Sequence, residues 1–459
     1  MIHWSNYYLS NLDNLGDLMY IKGLGGHLES EATKDSLPKG QNSPQECPHG
    51  LWAEQLNGSA FTVGRASNFR SWLYRMQPSV NHSEIVKIKS PKLYCKEEDC
   101  VLEAKQLRWD PLGELNGNEG DFFEGLATLA CGGRAEDRHG VAIYSYKAKR
   151  GMGQRALSNS DGDWLIVPQR GELQLQSEFG ILLVKVGEIA VVQRGMRFKI
   201  DPVAKTGAEA NTEIGGFILE VFDSHFELPD LGPIGSNGLA NPQDFLFPRA
   251  YFDPLEHSAE SAGSWTVITK FGGDFYEAHQ HFSPFNVVAW RGNYLPFKYD
   301  LALFNTVNTV SFDHLDPSIF TVLTCKSSLY PSGTALADFV IFPPRWSVAS
   351  HTFRPPYFHR NCMSEFMGLI SGSYDAKKGG GFVAGGASLH SIMIPHGPDS
   401  ESAEHAEARQ LEPEWVGAGS LAFMFETWHF LKVSPWALQA AQADYQSVWG
   451  NFSNRFTQK

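Results

Sequence analysis

Short hydrophobic segments separated by glycine-containing turns fill the middle of the chain. They predict strands at residues 164–167, 173–176, 181–186 and 189–192. Even spacing of short strands is typical of a jelly roll or a small barrel. Because the segment lacks the histidine pair that would bind a metal, we interpret this barrel as a metal-free scaffold.

A second strand-rich block begins near residue 305. It predicts strands at residues 306–312, 319–324 and 336–342. Farther on, side chains alternate, which places Met363, Glu365 and Met367 on one face of a strand, so that a carboxylate shares a face with apolar side chains. Helical patterning is confined to residues 436–448, where alanine and glutamine are frequent.

Composition supports this fold class. The chain has 459 residues, and its 44 glycines and 25 prolines favour many tight turns over long helices. The prediction is a mainly β, cupin-like or jelly-roll protein with two β-rich domains and few helices. The N-terminal domain, residues 1–302, holds the metal-free barrel, and the C-terminal domain spans residues 303–459.

Charge limits the possible partners. The formal net charge is −13, and no basic run exceeds Lys377-Lys378, so nucleic acid and anionic lipid are not expected to bind. Polar residues interrupt the first twenty positions, which predicts neither a signal peptide nor a membrane span and favours the cytoplasm. The six cysteines are interpreted as free thiols.

The candidate chemistry lies in residues 353–399. This stretch contains His359, His390, His396 and Glu365. Two histidines and one glutamate could meet on neighbouring strands, giving the two-histidine, one-carboxylate set of non-haem Fe(II) oxygenases. The same set also serves catalytic zinc, and any one histidine alone is more often structural, so spacing leaves these alternatives open. His279 and His281 have the spacing of a cupin metal box, but no glutamate follows at the distance that such a box requires. We interpret the pair as a surface coincidence.

The strings around these residues resemble the homogentisate 1,2-dioxygenase family. They are Tyr357-Phe358-His359-Arg360-Asn361-Cys362-Met363-Ser364-Glu365, Ser388-Leu389-His390 and Pro395-His396-Gly397-Pro398-Asp399. Further matching strings are residues 53–56, 58–61, 70–75, 159–163, 193–198, 225–230, 312–314, 316–320 and 342–346. The resemblance covers almost the whole chain, and strings of this length are highly specific.

The resemblance implies roles for individual residues. His359, Glu365 and His396 fall at the iron-ligand positions, and His396 also falls beside the substrate. His314 falls where a histidine binds and deprotonates the substrate hydroxyl, and Tyr374 where a tyrosine holds the carboxylate arm. His390 falls beside the metal, in a supporting or proton-relay role. For Tyr374 and His390 the alternative is loop packing beside residues 379–386.

The resemblance also implies the reaction and the assembly. A non-haem Fe(II) (Fe2+) dioxygenase of this family converts homogentisate and O2 to maleylacetoacetate in tyrosine and phenylalanine catabolism. The family assembles as a homohexamer, a dimer of trimers. Residues 23–28 and Arg291 depart from the family pattern, which leaves open a paralogue acting on another dihydroxyphenyl acid. The residues also leave open a zinc hydrolase and a non-catalytic cupin-like binding protein.

Overall fold

The computed structural model describes residues 20–89, 93, 99–111, 120–203, 213–235, 237–253, 263–308, 311–331, 333–374 and 382–456. Within these residues the strands are β1 Tyr20–Lys22, β2 Leu28–Glu31, β3 Trp52–Asn57, β4 Arg70–Arg75, β5 Val86–Ile88, β6 Val101–Leu102, β7 Leu107–Trp109, β8 Leu126–Arg134, β9 His139–Ala148, β10 Arg155–Asn159, β11 Asp163–Arg170, β12 Leu173–Ser177, β13 Gly180–Val184, β14 Glu188–Val192, β15 Arg197–Pro202, β16 Ile214–Val221, β17 Phe226–Glu227, β18 Leu246–Pro248, β19 Trp265–Phe271, β20 Asp274–Gln280, β21 Val287–Gly292, β22 Phe297–Asp300, β23 Thr321–Lys326, β24 Ala335–Phe342, β25 Arg345–Ser347, β26 Ser364–Ser371, β27 Ala387–His390, β28 Glu414–Val416, β29 Leu421–Thr427 and β30 Lys432–Val433. The α-helices of the described residues are α1 Ser400–Ala408 and α2 Pro435–Ala440. The 3-10 helices are Pro48–Gly50, Arg65–Ser67, Gly232–Ile234, Pro242–Asp244, Leu301–Leu303, Pro317–Phe320 and Tyr445–Trp449.

Three large sheets contain most of the strands. The central sheet has the order β1-β18-β22-β14-β11-β16-β9-β8-β30-β6. The outer sheet has the order β13-β12-β15-β10-β19-β20-β5, and the C-terminal sheet has the order β17-β23-β24-β29-β26-β27-β7. A smaller N-terminal sheet, in the order β2-β21-β4-β3, lies beside them, and β25 pairs with β28.

Both faces of the central sheet are covered. Trp164 on β11 is paired with Glu220 on β16 and packs against Phe198 of the outer sheet, with 5.7 Å between the ring centroids. Phe217 projects from the opposite face of β16, because side chains alternate along a strand. Its ring lies 5.8 Å from that of Phe366 in the C-terminal sheet. The apolar core therefore runs through all three layers.

The fold class predicted from the sequence, mainly β with few helices, is confirmed. The two predicted domains exchange strands, since β7 and β17 join the C-terminal sheet and β30 joins the central sheet. The boundary between residues 302 and 303 stays a prediction.

No helix among the described positions is long and apolar enough to cross a membrane. The predicted absence of a signal peptide concerns residues outside the described ranges.

The strands predicted between residues 164 and 192 correspond to β11, β12, β13 and β14. The prediction of a strand at residues 306–312 is wrong, because the described part, 306–308 and 311–312, is irregular. Asn305 makes a single bridge to Leu239, after which the chain turns at Asp313, whose φ of 70° is in the left-handed region. The described part of this segment is a loop that leads to His314, which lines the cavity described below.

Two further element boundaries differ from the predictions. The strand predicted to begin at residue 319 begins at Thr321. Pro317 starts a 3-10 helix that includes the apolar residues Ile319 and Phe320. The helix predicted at residues 436–448 ends as α2 at Ala440. A 3-10 helix, Tyr445–Trp449, follows it and buries Tyr445. Alanine content favours a helix locally, but the contacts of Tyr445 decide the final turn.

Both departures from the family pattern lie at the N-terminal sheet or the edge of the core. Arg291 on β21 donates a hydrogen bond to the Pro38 carbonyl oxygen at 2.9 Å and lies 3.4 Å from the Glu29 carboxylate. Gly23 and Leu24 donate backbone hydrogen bonds to residues that flank β18. These residues stabilise the N-terminal segment, and none of them lines the cavity described below.

Asp163 is a fully buried carboxylate that holds two partners. Arg194 Nε donates to its Oδ1 at 2.9 Å, and His225 Nδ1 donates to its Oδ2 at 2.6 Å. We expect Asp163→Asn to lower the free energy of unfolding by about 3–5 kcal/mol, because removing one member of a buried ion pair leaves the other charge uncompensated. Urea unfolding measures this loss, and Asp137→Asn in an exposed turn is the matched control.

The pH dependence of the unfolding free energy tests the same contacts of Asp163. Burial alone would raise the pKa of Asp163, but His225 and Arg194 outweigh it and lower that pKa from 3.8 to about 2. A depressed folded-state pKa means that this stabilisation is present above pH 3.8 and is lost as the pH falls towards 2. The variant should therefore lose less unfolding free energy than the parent across that interval. Parallel pH profiles would contradict the assignment.

Candidate metal centre

A row of polar residues crosses the C-terminal sheet at one level. Its members are Asp338 on β24, Glu426 on β29, Glu365 on β26 and His390 on β27, each directly opposite the next. Directly opposite residues of antiparallel strands project from the same face. The sheet register therefore collects three carboxyl groups and an imidazole from four separate strands.

The two histidines of the predicted site are fixed to each other through the backbone. His359 donates its N–H to the His396 carbonyl oxygen at 3.0 Å, and His396 returns the hydrogen bond at 3.1 Å. Their ring centroids lie 4.2 Å apart. Both rings reach Glu365, with His359 Nε2 3.3 Å from Oε1 and His396 Nε2 3.1 Å from Oε2. The backbone bridge thus brings together two residues 37 positions apart in the chain.

The other nitrogen of each ring is also held. His359 Nδ1 donates to the Tyr357 carbonyl oxygen at 2.7 Å, and His396 Nδ1 donates to the Ile394 carbonyl oxygen at 2.9 Å. In both cases the acceptor lies two residues earlier in the chain. A neutral imidazole that donates from Nδ1 presents a lone pair at Nε2, and such backbone acceptors commonly fix the tautomer of a metal ligand.

These contacts fit a bound cation. Two Nε2 lone pairs and a carboxylate converge, and the three ligand atoms lie within 4.8 Å of one another. Without a cation the two rings would each have to be protonated to satisfy the carboxylate. A metal ion would satisfy all three groups at once, and two imidazoles with one carboxylate are a common ligand set for a catalytic metal.

The pKa values of Glu365 and of its cross-strand neighbour Glu426 are shifted in opposite directions. Burial alone would raise the pKa of Glu365, but its close contacts with His359 and His396 outweigh burial and hold the pKa far below its ordinary value. For Glu426, burial and the nearby charges of Glu365 and Asp338 raise the pKa to about 8. Glu365 is therefore the carboxyl group of the row that suits an anionic ligand.

A cavity of about 540 Å³ opens beside the three candidate ligands. Its apolar wall includes Phe342, Met367 and Met424, and its polar lining includes His314 and Tyr374. The predicted alternation that placed Met367 on the face of Glu365 agrees with this arrangement. The volume and the mixed lining suit a single aromatic ring with polar substituents.

His314 lies at the mouth of this cavity. Its Nδ1 donates to the Leu315 carbonyl oxygen at 2.8 Å, which makes Nε2 the basic nitrogen of the ring. The His314 ring meets the Tyr357 ring edge-on at 6.1 Å, and Tyr357 in turn lies 5.5 Å from the His359 ring. Tyr357 is held by a hydrogen bond to Asp316. The loop that carries His314 is thereby connected to the candidate ligands.

Tyr374 lines the deeper part of the cavity and is 6% exposed. Its ring packs against Phe342 at 5.6 Å and Phe382 at 6.1 Å. This packing fixes the ring while the side chain still borders the cavity. Residues 375–381, which include part of the glycine-rich segment considered for loop packing, lie outside the described residues.

His390 stacks on His396, with 4.4 Å between centroids and 14° between planes. The chain does not stay extended between them, since β27 ends at His390 and a turn at Met393, with φ of 60°, brings His396 back. The shared parity of the two positions is therefore not the reason for their proximity. The turn and the bridge to His359 bring the two rings together.

Sequence reasoning missed two residues behind His390. Tyr445 Oη accepts a hydrogen bond from Arg108 Nη2 at 2.9 Å and lies 3.2 Å from His390 Nε2. The Arg108 guanidinium also lies 4.2 Å from the Tyr445 ring centroid. Because Tyr445 accepts from Arg108, its own proton can be donated to His390. No local pattern marks these residues, which lie 337 positions apart.

The competing His-x-His pair does not form a metal site within the described ranges. His279 is exposed on β20, with Nδ1 3.2 Å from Thr266 Oγ1, and His281 is exposed just beyond the strand. Among those residues, the one group of three or more potential ligands within reach of a common ion is His359, Glu365 and His396. The interpretation of the pair as a surface coincidence stays a prediction.

The family models and the relatives that this chain matches carry the same family name. The family model described as "Homogentisate 1,2-dioxygenase N-terminal" matches residues 19–301, and "Homogentisate 1,2-dioxygenase C-terminal" matches residues 302–456. The homogentisate 1,2-dioxygenase of Homo sapiens is 50% identical over 450 residues, which cover 96% of this chain and 98% of that protein. The Dictyostelium discoideum protein of the same name is 52% identical over 434 residues, covering 94% of this chain and 96% of that protein.

A plant relative and a solved structure complete the comparison. The Arabidopsis thaliana homogentisate 1,2-dioxygenase is 49% identical over 453 residues, covering 96% of this chain and 94% of that protein. A bacterial pirin from Escherichia coli aligns with a TM-score of 0.26 at 9% identity, over 70% of this chain and 99% of that one. The sequence relatives match in both identity and length.

Proposed function

The chain belongs to the homogentisate 1,2-dioxygenase family, and from this premise we propose that it binds Fe(II) and uses O2 to open the ring of homogentisate, giving maleylacetoacetate. His359, Glu365 and His396 are the proposed ligands. The observation that carries the proposal is the convergence of two Nε2 lone pairs and one carboxylate beside a ring-sized cavity. Fe(II) in that position supplies the electron transfer between an aromatic ring and O2 that Zn(II) does not provide.

His314 is the proposed base. Its Nδ1–H is committed to the Leu315 carbonyl oxygen, so Nε2 is the atom that accepts the proton of a ring hydroxyl. The same histidine holds that hydroxyl in place as the ring enters the cavity. Proton acceptance raises the electron density of the ring, which favours its oxidation.

Tyr374 is the proposed anchor for the carboxylate arm, through donation from its phenolic hydroxyl. Together, His314 and Tyr374 would hold the substrate at two ends, which converts random encounter into a productive orientation. The apolar wall formed by Phe342, Met367 and Met424 excludes water from the ring between these anchors. Orientation and exclusion of water are thus the contributions of the protein itself.

Tyr374→Phe tests the anchor. The ring remains, so its packing against Phe342 and Phe382 is kept, but the hydrogen bond to the carboxylate is lost. We expect KM for homogentisate to rise about tenfold or more, with a smaller change in kcat, because a hydrogen bond to a charged group contributes about 1.5–3 kcal/mol. Steady-state kinetics measure this split, and Tyr276→Phe on the outer sheet is the control. A fall in kcat with constant KM would argue against an anchoring role.

Oxygen uptake distinguishes the proposed reaction from its rivals. The protein is reconstituted anaerobically with Fe(II) or with Zn(II), mixed with homogentisate and then exposed to air. The proposal predicts one O2 consumed for each ring-opened product with iron, and no turnover with zinc. Turnover with zinc and without O2 would indicate a hydrolase. Iron binding without turnover of homogentisate would indicate a paralogue with another dihydroxyphenyl substrate.

The finer features implied by the family stay predictions. They are a homohexamer built as a dimer of trimers and a cytoplasmic location. The first is measured by analytical ultracentrifugation of the metal-loaded protein. Neither feature bears on how the candidate ligands meet.

A further inference from the structure

The cavity wall carries a carboxyl group to which the proposed reaction assigns no role. Glu426 lies between Glu365 and Asp338 in the polar row, and all three residues line the cavity. Burial raises the pKa of the Asp338 carboxyl group, and the side chain of Thr324, directly opposite on β23, opposes that effect. Across the described chain, by contrast, no side-chain or backbone group donates a hydrogen bond to the Glu426 carboxyl group. Glu426 therefore borders the cavity as an acceptor that the protein itself does not use.

The sheet register places the backbone of Glu426 one strand from that of Glu365, the proposed metal ligand. Neighbouring strand backbones lie about 4.8 Å apart. Two hydroxyl oxygens at opposite ends of a benzene ring are separated by a similar distance. A ring with one hydroxyl at the metal can thus present its other hydroxyl to Glu426.

The rest of the wall leaves few other acceptors for that hydroxyl. Met424 lies two positions before Glu426 on β29, and Met367 lies two positions after Glu365 on β26. Both methionines project from the same face as the two glutamates and line the cavity. A phenolic O–H turned towards these thioethers and away from water would lose most of its hydrogen-bond energy. The ring orientation that satisfies the hydroxyl is the one that points it along the polar row.

We infer that Glu426 is a specificity-determining residue, whose carboxyl group accepts a hydrogen bond from the second ring hydroxyl of the substrate, across the ring from the hydroxyl at the metal. This inference rests on the proposed function and deepens it, because it explains how the site selects a ring with two hydroxyls in that relationship. A carboxyl group accepts from a phenol in either protonation state, so the contact requires no particular charge on Glu426.

The test uses metal-loaded protein and compares ligands that differ by one hydroxyl. Anaerobic titration measures Kd for homogentisate, 2-hydroxyphenylacetate and 3-hydroxyphenylacetate, each monohydroxy acid lacking one of the two ring hydroxyls. The parent protein, Glu426→Gln and Glu426→Leu are compared. Glu227→Gln, at the far edge of the same sheet beside Lys326, is the matched control. Bound iron is measured for every sample.

The expected result is a change in selectivity at constant iron content. The parent should bind homogentisate about tenfold to a hundredfold more tightly than the monohydroxy acid that keeps the metal-bound hydroxyl, because a hydrogen bond to a carboxyl group is worth that much in binding. In Glu426→Leu this ratio should fall close to one, while affinity for the monohydroxy acid stays near that of the parent. Glu426→Gln, which keeps an amide oxygen acceptor, should retain part of the ratio.

Two outcomes would overturn the inference. One is a Glu426→Leu protein that binds both ligands more weakly by the same factor, which is the result of a purely structural role. The other is an unchanged ratio in both variants. If Glu426→Leu does not fold, the ratio in Glu426→Gln decides between these results. Failure of the proposed function is distinct, since the parent protein would then neither bind nor turn over homogentisate.

Discussion

Replacing Glu365 with glutamine is expected to release the metal and reduce turnover of homogentisate by at least about a thousandfold, since a metal ion contributes several kcal/mol to the transition state. The substitution preserves volume but removes the anionic ligand. Its amide nitrogen would also place N–H donors against the Nε2 atom of either His359 or His396, which lie 3.3 Å and 3.1 Å from the two carboxylate oxygens of Glu365. Metal analysis of purified, reconstituted protein measures the loss.

The control for this variant is Glu136→Gln in an exposed turn, which should keep both iron and activity. Far-UV circular dichroism should show that the Glu365→Gln protein is folded, since β26 keeps its backbone hydrogen bonds to β27 and β29. Full iron occupancy in that variant would remove Glu365 from the metal site and with it the proposed ligand set.

Replacing His314 with glutamine is expected to separate metal binding from catalysis. The variant should hold iron as the parent does, because His314 lies at the cavity mouth and outside the group of converging ligand atoms. Its kcat should fall by about a hundredfold to ten-thousandfold, which is the usual contribution of a general base. Glutamine can still hydrogen-bond a ring hydroxyl but cannot accept its proton.

Single-turnover experiments under limiting O2 would measure this step directly. His279→Gln is the matched control, because it removes an exposed histidine from the outer sheet and from the rejected metal box. That control should leave iron content and turnover unchanged. A His314→Gln protein with near-parental kcat would end the proposed role, and one without iron would make His314 a ligand.

The sequence predicted the fold class because its strands are short, evenly spaced and bounded by glycine. It could not predict the irregular course of residues 306–308 and 311–312, which form a loop instead of a strand. Residue types indicate strand propensity, but they do not record whether a neighbouring strand is available to pair with the backbone. Phe312 is 65% exposed, and the described residues between Asn305 and Phe312 belong to no strand.

The candidate ligands were identified through resemblance, because spacing alone left zinc and purely structural roles open. What the sequence could not supply is the cross-strand register. Asp338 and Glu426 precede and follow the conspicuous motif by many residues, and only the pairing of β24, β29 and β26 places them beside Glu365. The support of His390 by Tyr445 likewise depends on the fold of the C-terminal segment.

The most direct measurement is a crystal structure of the iron-reconstituted protein with anomalous diffraction data collected on both sides of the iron absorption edge. The proposed ligand set predicts one strong iron peak per chain, bonded to His359 Nε2, His396 Nε2 and the Glu365 carboxylate, with His314 and Glu426 facing the same cavity. An iron peak elsewhere, including at His279 and His281, or the lack of any peak at the three residues in fully loaded protein, would contradict it.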